Sequence, residues 1–213
     1  MDINKPVVIL CSGPSARKIS KLESAYVCTV NLCSVYADHT DFWVVNDANF
    51  LHYFSESKLK TISSLILPEY PNSVLPDTHK SSSDFPYTKV IQHLPSSLSI
   101  HTFNLKKINT CTSGETAIWW LQSQGFKNFI LLGMDPDGGR HKEIPGMIAN
   151  SERIVTQDCD KPKRYKNAFD RMKKAILQNS CNACKLLIPE STKVDDKLIQ
   201  NIQFDGFKEV RYE

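Results

Sequence analysis

Two aspartates and a histidine in the middle of the sequence are the residues best suited to acid–base or metal chemistry. Asp135 and Asp137 follow the apolar run 129–134 and are separated by one residue. Two carboxylates at this spacing can hold Mg²⁺ or Mn²⁺ against a diphosphate, whereas Asp135 alone can accept hydrogen bonds from ligand hydroxyls or from the backbone. His141 lies in the next segment, and an imidazole titrates near neutral pH, which suits a general base. The stretch that begins at Asp135 is therefore where the sequence predicts a reactive centre.

A small-residue turn near the amino terminus predicts a site for an anion. The apolar run 7–10 ends in Cys11 and Ser12, and Gly13-Pro14-Ser15 follows. We predict a helix over residues 17–22, directly after this turn. A strand that passes through such a turn into a helix presents backbone N–H groups and a helix N-terminus at the carboxyl edge of a sheet, where phosphates bind. Residues 12–15 are therefore candidates to bind the phosphates of a nucleotide.

Amide side chains end two further apolar runs. Asn31 follows the run 26–30, and Asn46 and Asp47 follow the run 42–45. An amide offers both hydrogen-bond donors and an acceptor, so each asparagine can read a base edge or a ribose hydroxyl. The alternative is that each residue only caps the end of a strand.

A second small-residue turn precedes a predicted helix over residues 116–124. Thr112-Ser113-Gly114-Glu115 has the pattern of a capping box, and Gly125 is expected to end the helix. The turn is either an N-cap alone or a second cradle for a phosphate or carboxylate. Thr112, Ser113 and Gly114 join the candidates for ligand binding on the second interpretation.

The segment Lys161–Lys174 is strongly basic. It contains seven lysines and arginines in fourteen residues, and Asp170 is its one acid. Such a segment is either a solvated helix face or a surface that meets a polyanion, with Arg164 or Tyr165 turned toward a bound donor.

Strand-like and helical segments alternate along the chain, which predicts a doubly wound, mostly parallel α/β sheet. The strand-like runs are continuously apolar, as expected for strands buried on both faces. Residues 69–104 and 136–163 lack a clear period, and we expect the segment 136–165 to be a lid or an acceptor-binding loop. The predicted strands cover 7–10, 26–31, 42–47, 64–67, 129–135, 185–189 and 209–212, and the remaining predicted helices cover 164–178 and 194–201.

Length and composition favour a single ordinary α/β domain over the 213 residues. The net charge of +3 is too small to imply a nucleic-acid partner by itself. We expect no transmembrane segment, because no apolar run reaches about eighteen residues. The amino terminus does not resemble a signal peptide, and we expect a cytoplasmic protein whose seven cysteines are free thiols.

Taken in order, these motifs resemble those of bacterial CMP-sialic acid-dependent sialyltransferases of the Campylobacter lipooligosaccharide type. They are also similar to those of the wider group of MptE-like proteins, which includes archaeal 6-hydroxymethylpterin diphosphokinases. The resemblance covers about half of the chain. It is carried by Gly13-Pro14-Ser15, Asn31, Asn46, Thr112-Ser113-Gly114 and Gly133-Met134-Asp135.

This resemblance implies a Rossmann-like, GT-A-type fold with a lid, and a nucleotide-sugar as co-substrate. In these sialyltransferases the first turn and the asparagines bind the nucleotide, the second turn contacts the donor, and lid tyrosines hold its phosphate. The chain has Ser12 where the family has asparagine, which leaves the base open. It has no histidine at 158–165, where the family has its catalytic one, so the general base would be Asp47, Asp135, Asp137 or His141.

We therefore expect a glycosyltransferase that moves a sugar from a nucleotide-activated donor to an acceptor hydroxyl, with or without Mg²⁺ or Mn²⁺. The acceptor would be a glycan, or a hydroxymethylated base in DNA bound by the basic segment. Two alternatives are a diphosphokinase that transfers diphosphate from ATP to a hydroxymethyl substrate and a non-catalytic nucleotide-binding module.

Overall fold

Eight parallel strands form one sheet in the part of the chain that the computed structural model describes, residues 1–46, 54–68, 94–103, 112–136 and 161–212. The strand order is β5-β4-β3-β2-β1-β6-β7-β8, so the first strand lies in the middle. This arrangement confirms the predicted α/β class with a parallel sheet and fits a Rossmann-like protein. The strands are β1 Val7–Leu10, β2 Tyr26–Val30, β3 Thr40–Val44, β4 Ile62–Pro68, β5 Ser99–Phe103, β6 Asn128–Leu132, β7 Asn182–Leu187 and β8 Phe207–Arg211.

The central strands are buried on both faces. All four residues of β1 are fully buried, and successive side chains point to opposite faces of the sheet. Val7 and Ile9 pack in one hydrophobic cluster, and Val8 and Leu10 pack in another. Because both faces need apolar side chains, the strand reads as an unbroken apolar run, as the sequence predicted.

Two long helices cover one face of the sheet. The helices are α1 Glu56–Leu59, α2 Ser113–Ser123, α3 Lys161–Gln178 and α4 Asp196–Gln200, and a 3₁₀ helix covers Asn31–Tyr36. Apolar side chains of α2 and α3, among them Leu121 and Ile176, pack in the cluster that holds Val7 and Ile9. Residues of the 3₁₀ helix, of α4 and of the segment 16–22 pack in the cluster on the other face.

Both ends of α2 follow the sequence prediction. Thr112 caps its first turn and forms the reciprocal capping box with Glu115. At the other end, Gly125 has a positive φ of 93°, and the N–H of Phe126 donates to the carbonyl of Leu121 at 3.1 Å. These are the bonds of a glycine-terminated helix end, so the position of α2 is set by local sequence at both ends.

The predicted helix at 17–22 is wrong. This segment is extended, and Ile19 forms isolated parallel bridges with Ala37 and with Val194. The N–H of Ile19 donates to Tyr36 at 2.7 Å, and its carbonyl accepts from Asp38 at 3.0 Å. A fully buried Ile19 with long-range backbone bonds on both sides cannot also supply the bonds of a helix. The first turn is therefore not followed by a helix N-terminus.

Strand β5 was not predicted, since it falls in the stretch 69–104 that has no clear period. Four of its five residues are exposed, and only Phe103 is buried. An edge strand with so little burial has no continuous apolar run for a pattern to detect.

Most of the predicted lid or acceptor loop at 136–165 falls outside the described residues. Residues 137–160 lie outside the described residues, and 161–165 belong to α3. None of the described helices combines the length and the apolar character needed to cross a membrane.

Candidate ligand site at the carboxyl edge of the sheet

The strand order reverses at β1, which has β2 on one side and β6 on the other. The chain builds the sheet outward from β1 to β5 and then returns to add β6 on the opposite side. In open parallel sheets, ligands bind outside the carboxyl ends of the strands at such a point of reversal. The residues that follow β1, β2, β3 and β6 therefore form the candidate ligand site.

The turns after β1 and β6 bond directly to each other. The backbone N–H of Ser15 donates to Asp135 Oδ2 at 2.8 Å, and the Ser15 hydroxyl lies 2.8 Å and 2.9 Å from the two carboxylate oxygens. The N–H of Gly133 donates back to Ser15 Oγ at 3.1 Å, and the N–H of Gly13 donates to the Gly133 carbonyl at 2.7 Å. We call these four residues, Gly13, Ser15, Gly133 and Asp135, the Ser15–Asp135 network.

Both glycines of this network are needed because the two turns approach so closely. A Cβ on Gly13 would lie 2.4 Å from Asp135 Oδ2 and 2.6 Å from the Gly133 carbonyl oxygen. Gly133 has a φ of +64°, and a Cβ there would lie 2.0 Å from the carbonyl oxygen of Cys11. Gly13, which predicted a phosphate cradle, thus serves the contact between two turns, as Gly133 does, and the anion at the first turn is the carboxylate of Asp135.

Asp135 also faces a buried cation that the sequence analysis missed. Lys185 Nζ lies 3.8 Å from Asp135 Oδ1, and the lysine side chain is only 7% exposed. Because both oxygens of Asp135 accept from Ser15 and the ammonium lies beside them, the geometry favours a positioning role over that of a free base. One signal could have found Lys185: it is a single lysine in a strand that is otherwise buried on both faces.

Two asparagines form the opposite side of this edge. Asn31 Nδ2 donates to Ser113 Oγ at 3.3 Å, and Asn46 Nδ2 donates to Thr116 Oγ1 at 3.0 Å. The Oδ1 atoms of Asn31 and Asn46 are buried, and neither has a hydrogen-bond partner. A buried polar atom without a partner is costly, so these two acceptors are the best sign of a ligand at this edge.

The backbone at Asn31 is held in an uncommon conformation. Its φ is +51°, in the left-handed region that asparagine tolerates better than most residues. Trp43 Nε1 donates to its carbonyl at 2.6 Å, which fixes the peptide. The amide of Asn31 is therefore aimed by its own backbone and by a buried tryptophan on β3.

The N-terminus of α2 lies against both parts of the edge. Gly114 packs so closely that a Cβ there would lie 3.0 Å from Met134 Cε and 3.1 Å from Cys11 Sγ. Glu115 is buried, accepts from the N–H of Thr112 at 2.9 Å, and pairs with Arg171 Nε of α3 at 2.9 Å. The charge of the capping carboxylate is thereby balanced, and α3 is tied to the start of α2.

Cys11 is not a nucleophile in this arrangement. Burial, and secondarily the charge of Asp135, raise the pKa of the Cys11 thiol to about 12. A thiol with such a pKa stays protonated at neutral pH, and the thiolate is the reactive form. Cys181 and Cys184 do not form a site either, because they belong to the clusters on opposite faces of the sheet.

The structure brings most of the predicted donor-site residues to one edge of the sheet. The Ser12–Ser15 turn, Asn31, Asn46 and the Thr112-Ser113-Gly114 turn all lie at the carboxyl ends of the strands or at the start of α2. The remaining candidates are not tested in this way: Asp47, Asp137 and His141 lie outside the described residues, as does the side chain of Arg164, and Tyr165 is half-buried on α3.

The described residues contain no group of three or more histidine, cysteine, aspartate or glutamate side chains that could hold a metal ion. Phe169, the aromatic residue of the basic segment that follows Tyr165, packs edge-on against Phe207, with ring centroids 5.7 Å apart. Trp120 is buried and packs against Phe42, as expected for a core residue of α2.

The fold and the site define a parallel α/β protein with a polar, partly buried carboxyl edge at the point where its strand order reverses. No family model, curated protein or solved structure matches the chain. The resemblance to sialyltransferases and MptE-like proteins therefore stays a prediction from short motifs.

Proposed function

We propose that this chain is a GT-A-type glycosyltransferase that binds a nucleotide-activated sugar at the carboxyl edge and transfers the sugar to an acceptor hydroxyl. The observation that supports the binding step most strongly is the pair of buried, unpartnered amide oxygens on Asn31 and Asn46. They lie at the ends of two neighbouring strands, beside the N-terminus of α2.

The polarity of this site favours the nucleoside and sugar parts of such a donor. Both amide nitrogens already donate to hydroxyls, so the atoms without a partner are the two Oδ1 oxygens, which are hydrogen-bond acceptors. These oxygens need hydrogen-bond donors from the ligand, and the exocyclic amine of a base or the hydroxyls of ribose and of a sugar supply them. A phosphate has no such donor at neutral pH and would sit elsewhere, near the first N–H groups of α2.

The proposed chemistry is deprotonation of the acceptor hydroxyl, with cationic and N–H groups to stabilise the departing phosphate. His141 and Asp47 stay candidates for the base. Asp135 is engaged by Ser15 and Lys185, and we assign it the positioning of the first turn. The N–H of Ser15 already donates to Asp135, so Ser15 contributes less to phosphate binding than the sequence predicted. Asp137 stays a candidate to bind Mg²⁺ or Mn²⁺, which the experiment below varies.

The exposed side of α3 supports a polyanionic acceptor, a glycan or DNA, as part of the same proposal. Lys163, Lys166, Lys173 and Lys174 are exposed there. Charge reversal of Lys163 and Lys166 should weaken acceptor binding, whereas the same change at the distant, exposed Lys21 should not. An unchanged acceptor KM in the Lys163 and Lys166 variants would rule out this surface.

The experiment is a thermal-shift panel of CMP, UDP, GDP and ATP, each with and without Mn²⁺. A nucleotide at a hundred times its Kd stabilises a protein by about 2.7 kcal/mol, which is easily measured. Asn46→Leu should raise the apparent Kd of the nucleotide at least tenfold and so reduce the thermal shift, because it removes the unpartnered oxygen. The matched control is Asn167→Leu, since Asn167 is exposed on α3 and away from the edge.

The outcomes separate the candidate functions. No shift with any nucleotide overturns the proposal. AMP release in the presence of ATP and a hydroxymethyl substrate identifies a diphosphokinase instead. A shift without transfer or hydrolysis of any sugar nucleotide identifies a binding module.

A further inference from the structure

Lys185 is a charged side chain buried inside the sheet layer. It lies on β7, with Leu131 of β6 and Glu209 of β8 as its neighbours across the two ladders. The residue is 6% exposed, although an ammonium group is among the most costly groups to remove from water. Its surroundings must therefore supply compensating charge.

Three groups surround its ammonium. Lys185 Nζ lies 3.3 Å from Glu209 Oε2 and 3.8 Å from Asp135 Oδ1. It also lies 5.5 Å from the centre of the Phe169 ring, within the range of a cation–π contact. The cation thus lies between two carboxylates, one in the turn after β6 and one on β8, with an aromatic ring beside it.

We propose that Lys185 is the resident cation of this edge: its ammonium takes the place between Asp135 and Glu209 that a divalent metal ion would otherwise occupy. In this role it is a positioning residue, because the carboxylate it neutralises is the one that accepts from Ser15 and holds the first turn. The proposal goes beyond sugar transfer and does not depend on it.

The distances explain why the lysine and a metal ion exclude each other. The Nζ–oxygen distances of 3.3 Å and 3.8 Å are those of ion pairs, longer than the roughly 2.7–2.9 Å of a charge-assisted hydrogen bond. Mg²⁺ and Mn²⁺ bind oxygen at roughly 2.0–2.2 Å, so each carboxylate would have to move inward by about 1 Å or more. Glu209 is half-exposed and free to make this movement once the ammonium is gone.

The test is the thermal stability of Lys185→Ala in EDTA and in Mn²⁺, without nucleotide. We expect the variant to melt lower than the wild type in EDTA and to recover by about 5 °C or more when Mn²⁺ exceeds its Kd a hundredfold. The wild type should gain nothing comparable. Lys208→Ala is the matched control, since Lys208 lies on the neighbouring strand β8 and pairs with Asp205 instead.

A second variant covers the case in which Lys185→Ala does not fold. Lys185→Arg keeps the positive charge and should show no gain in Mn²⁺, whereas Lys185→Met keeps the length of the side chain and should show the gain.

The same Mn²⁺ response in Arg and Met variants would overturn the proposal. So would a Mn²⁺ shift in the wild type that Asp135→Asn abolishes, because that result would put a metal ion where we place the ammonium. Because none of these readouts uses a nucleotide, their failure is distinct from failure of the proposed transferase.

Discussion

Ser15→Ala is the sharpest test of the contact between the turns after β1 and β6. Ser15 is 9% exposed, and its hydroxyl donates to the carboxylate of Asp135 while it accepts from the N–H of Gly133. Alanine removes one oxygen, leaves the backbone unchanged and creates little empty volume. The substitution therefore isolates the hydrogen bonds of this single hydroxyl.

The expected loss is about 3 kcal/mol of unfolding free energy. A hydrogen bond to a charged group contributes roughly 1.5–3 kcal/mol, and leaving the Gly133 N–H without a partner costs roughly 1–3 kcal/mol more. For a chain of this length, about 3 kcal/mol corresponds to a fall in Tm of roughly 6–12 °C. Ser191 provides the control, since it is exposed in the loop after β7, and Ser191→Ala should change stability by less than about 0.5 kcal/mol.

The measurement is chemical denaturation of Ser15→Ala, Asp135→Asn and the double variant, with Ser191→Ala alongside. If the two side chains act through one another, the double variant should be more stable than the sum of the single losses predicts, by about 1–2 kcal/mol. A Ser15→Ala protein as stable as the Ser191→Ala control would refute the account of the network. Strict additivity of Ser15→Ala and Asp135→Asn would show that the two residues stabilise the fold independently.

Three further outcomes are expected. Gly114→Ala should fold with little loss of stability, because its new methyl would meet the flexible end of Met134 at 3.0 Å and Cys11 Sγ at 3.1 Å, which small shifts relieve, yet it should weaken nucleotide binding; a large fall in Tm would contradict this. Cys11, with a pKa of about 12, should react with iodoacetamide at pH 8 roughly a thousandfold more slowly than a free cysteine, as peptide mapping can measure; fast labelling would contradict the partly buried, protonated thiol. The pKa of Asp196 is held below its ordinary value of 3.8, chiefly by the hydroxyl of Ser24. The contribution of this carboxylate to the free energy of unfolding is therefore present above pH 3.8 and is lost as the pH falls through the lower pKa of the folded state. The Tm difference between wild type and Asp196→Asn should therefore shrink below about pH 4; a difference independent of pH would contradict this.

The sheet could be predicted from the sequence because its central strands are buried on both faces. The runs at β1 and β6 are continuously apolar, and burial on two faces is the physical cause of that pattern. The segment 17–22 could not be assigned in this way. Its extended form is imposed by backbone bonds that no local pattern reveals: Ile19 bonds to Tyr36 and Asp38, and its neighbours Lys18 and Ser20 bond to Val194.

The site shows the same division between local and long-range causes. Thr112 and Glu115 form their capping box within four residues, so the start of α2 was predictable. The bond between Ser15 and Asp135 joins residues 120 positions apart. By itself the first turn indicated an anion site, and Asp135 indicated a metal ligand, a base or an acceptor of hydrogen bonds. Lys185 was read as part of a strand, since its two carboxylate partners lie on other segments of the chain.

The central place of β1 has a consequence for how the chain is made. Strand β1 is synthesised before the other seven strands of this sheet and is one of its two central strands, and its second neighbour, β6, is synthesised more than a hundred residues later. Until then, one backbone edge of β1 has no partner, and all four residues of this strand, Val7–Leu10, are apolar. Unpaired apolar edges are the surfaces at which nascent chains aggregate. A chain interrupted before residue 128 should therefore need a chaperone, and supplying residues 112–212 as a separate polypeptide should rescue its solubility.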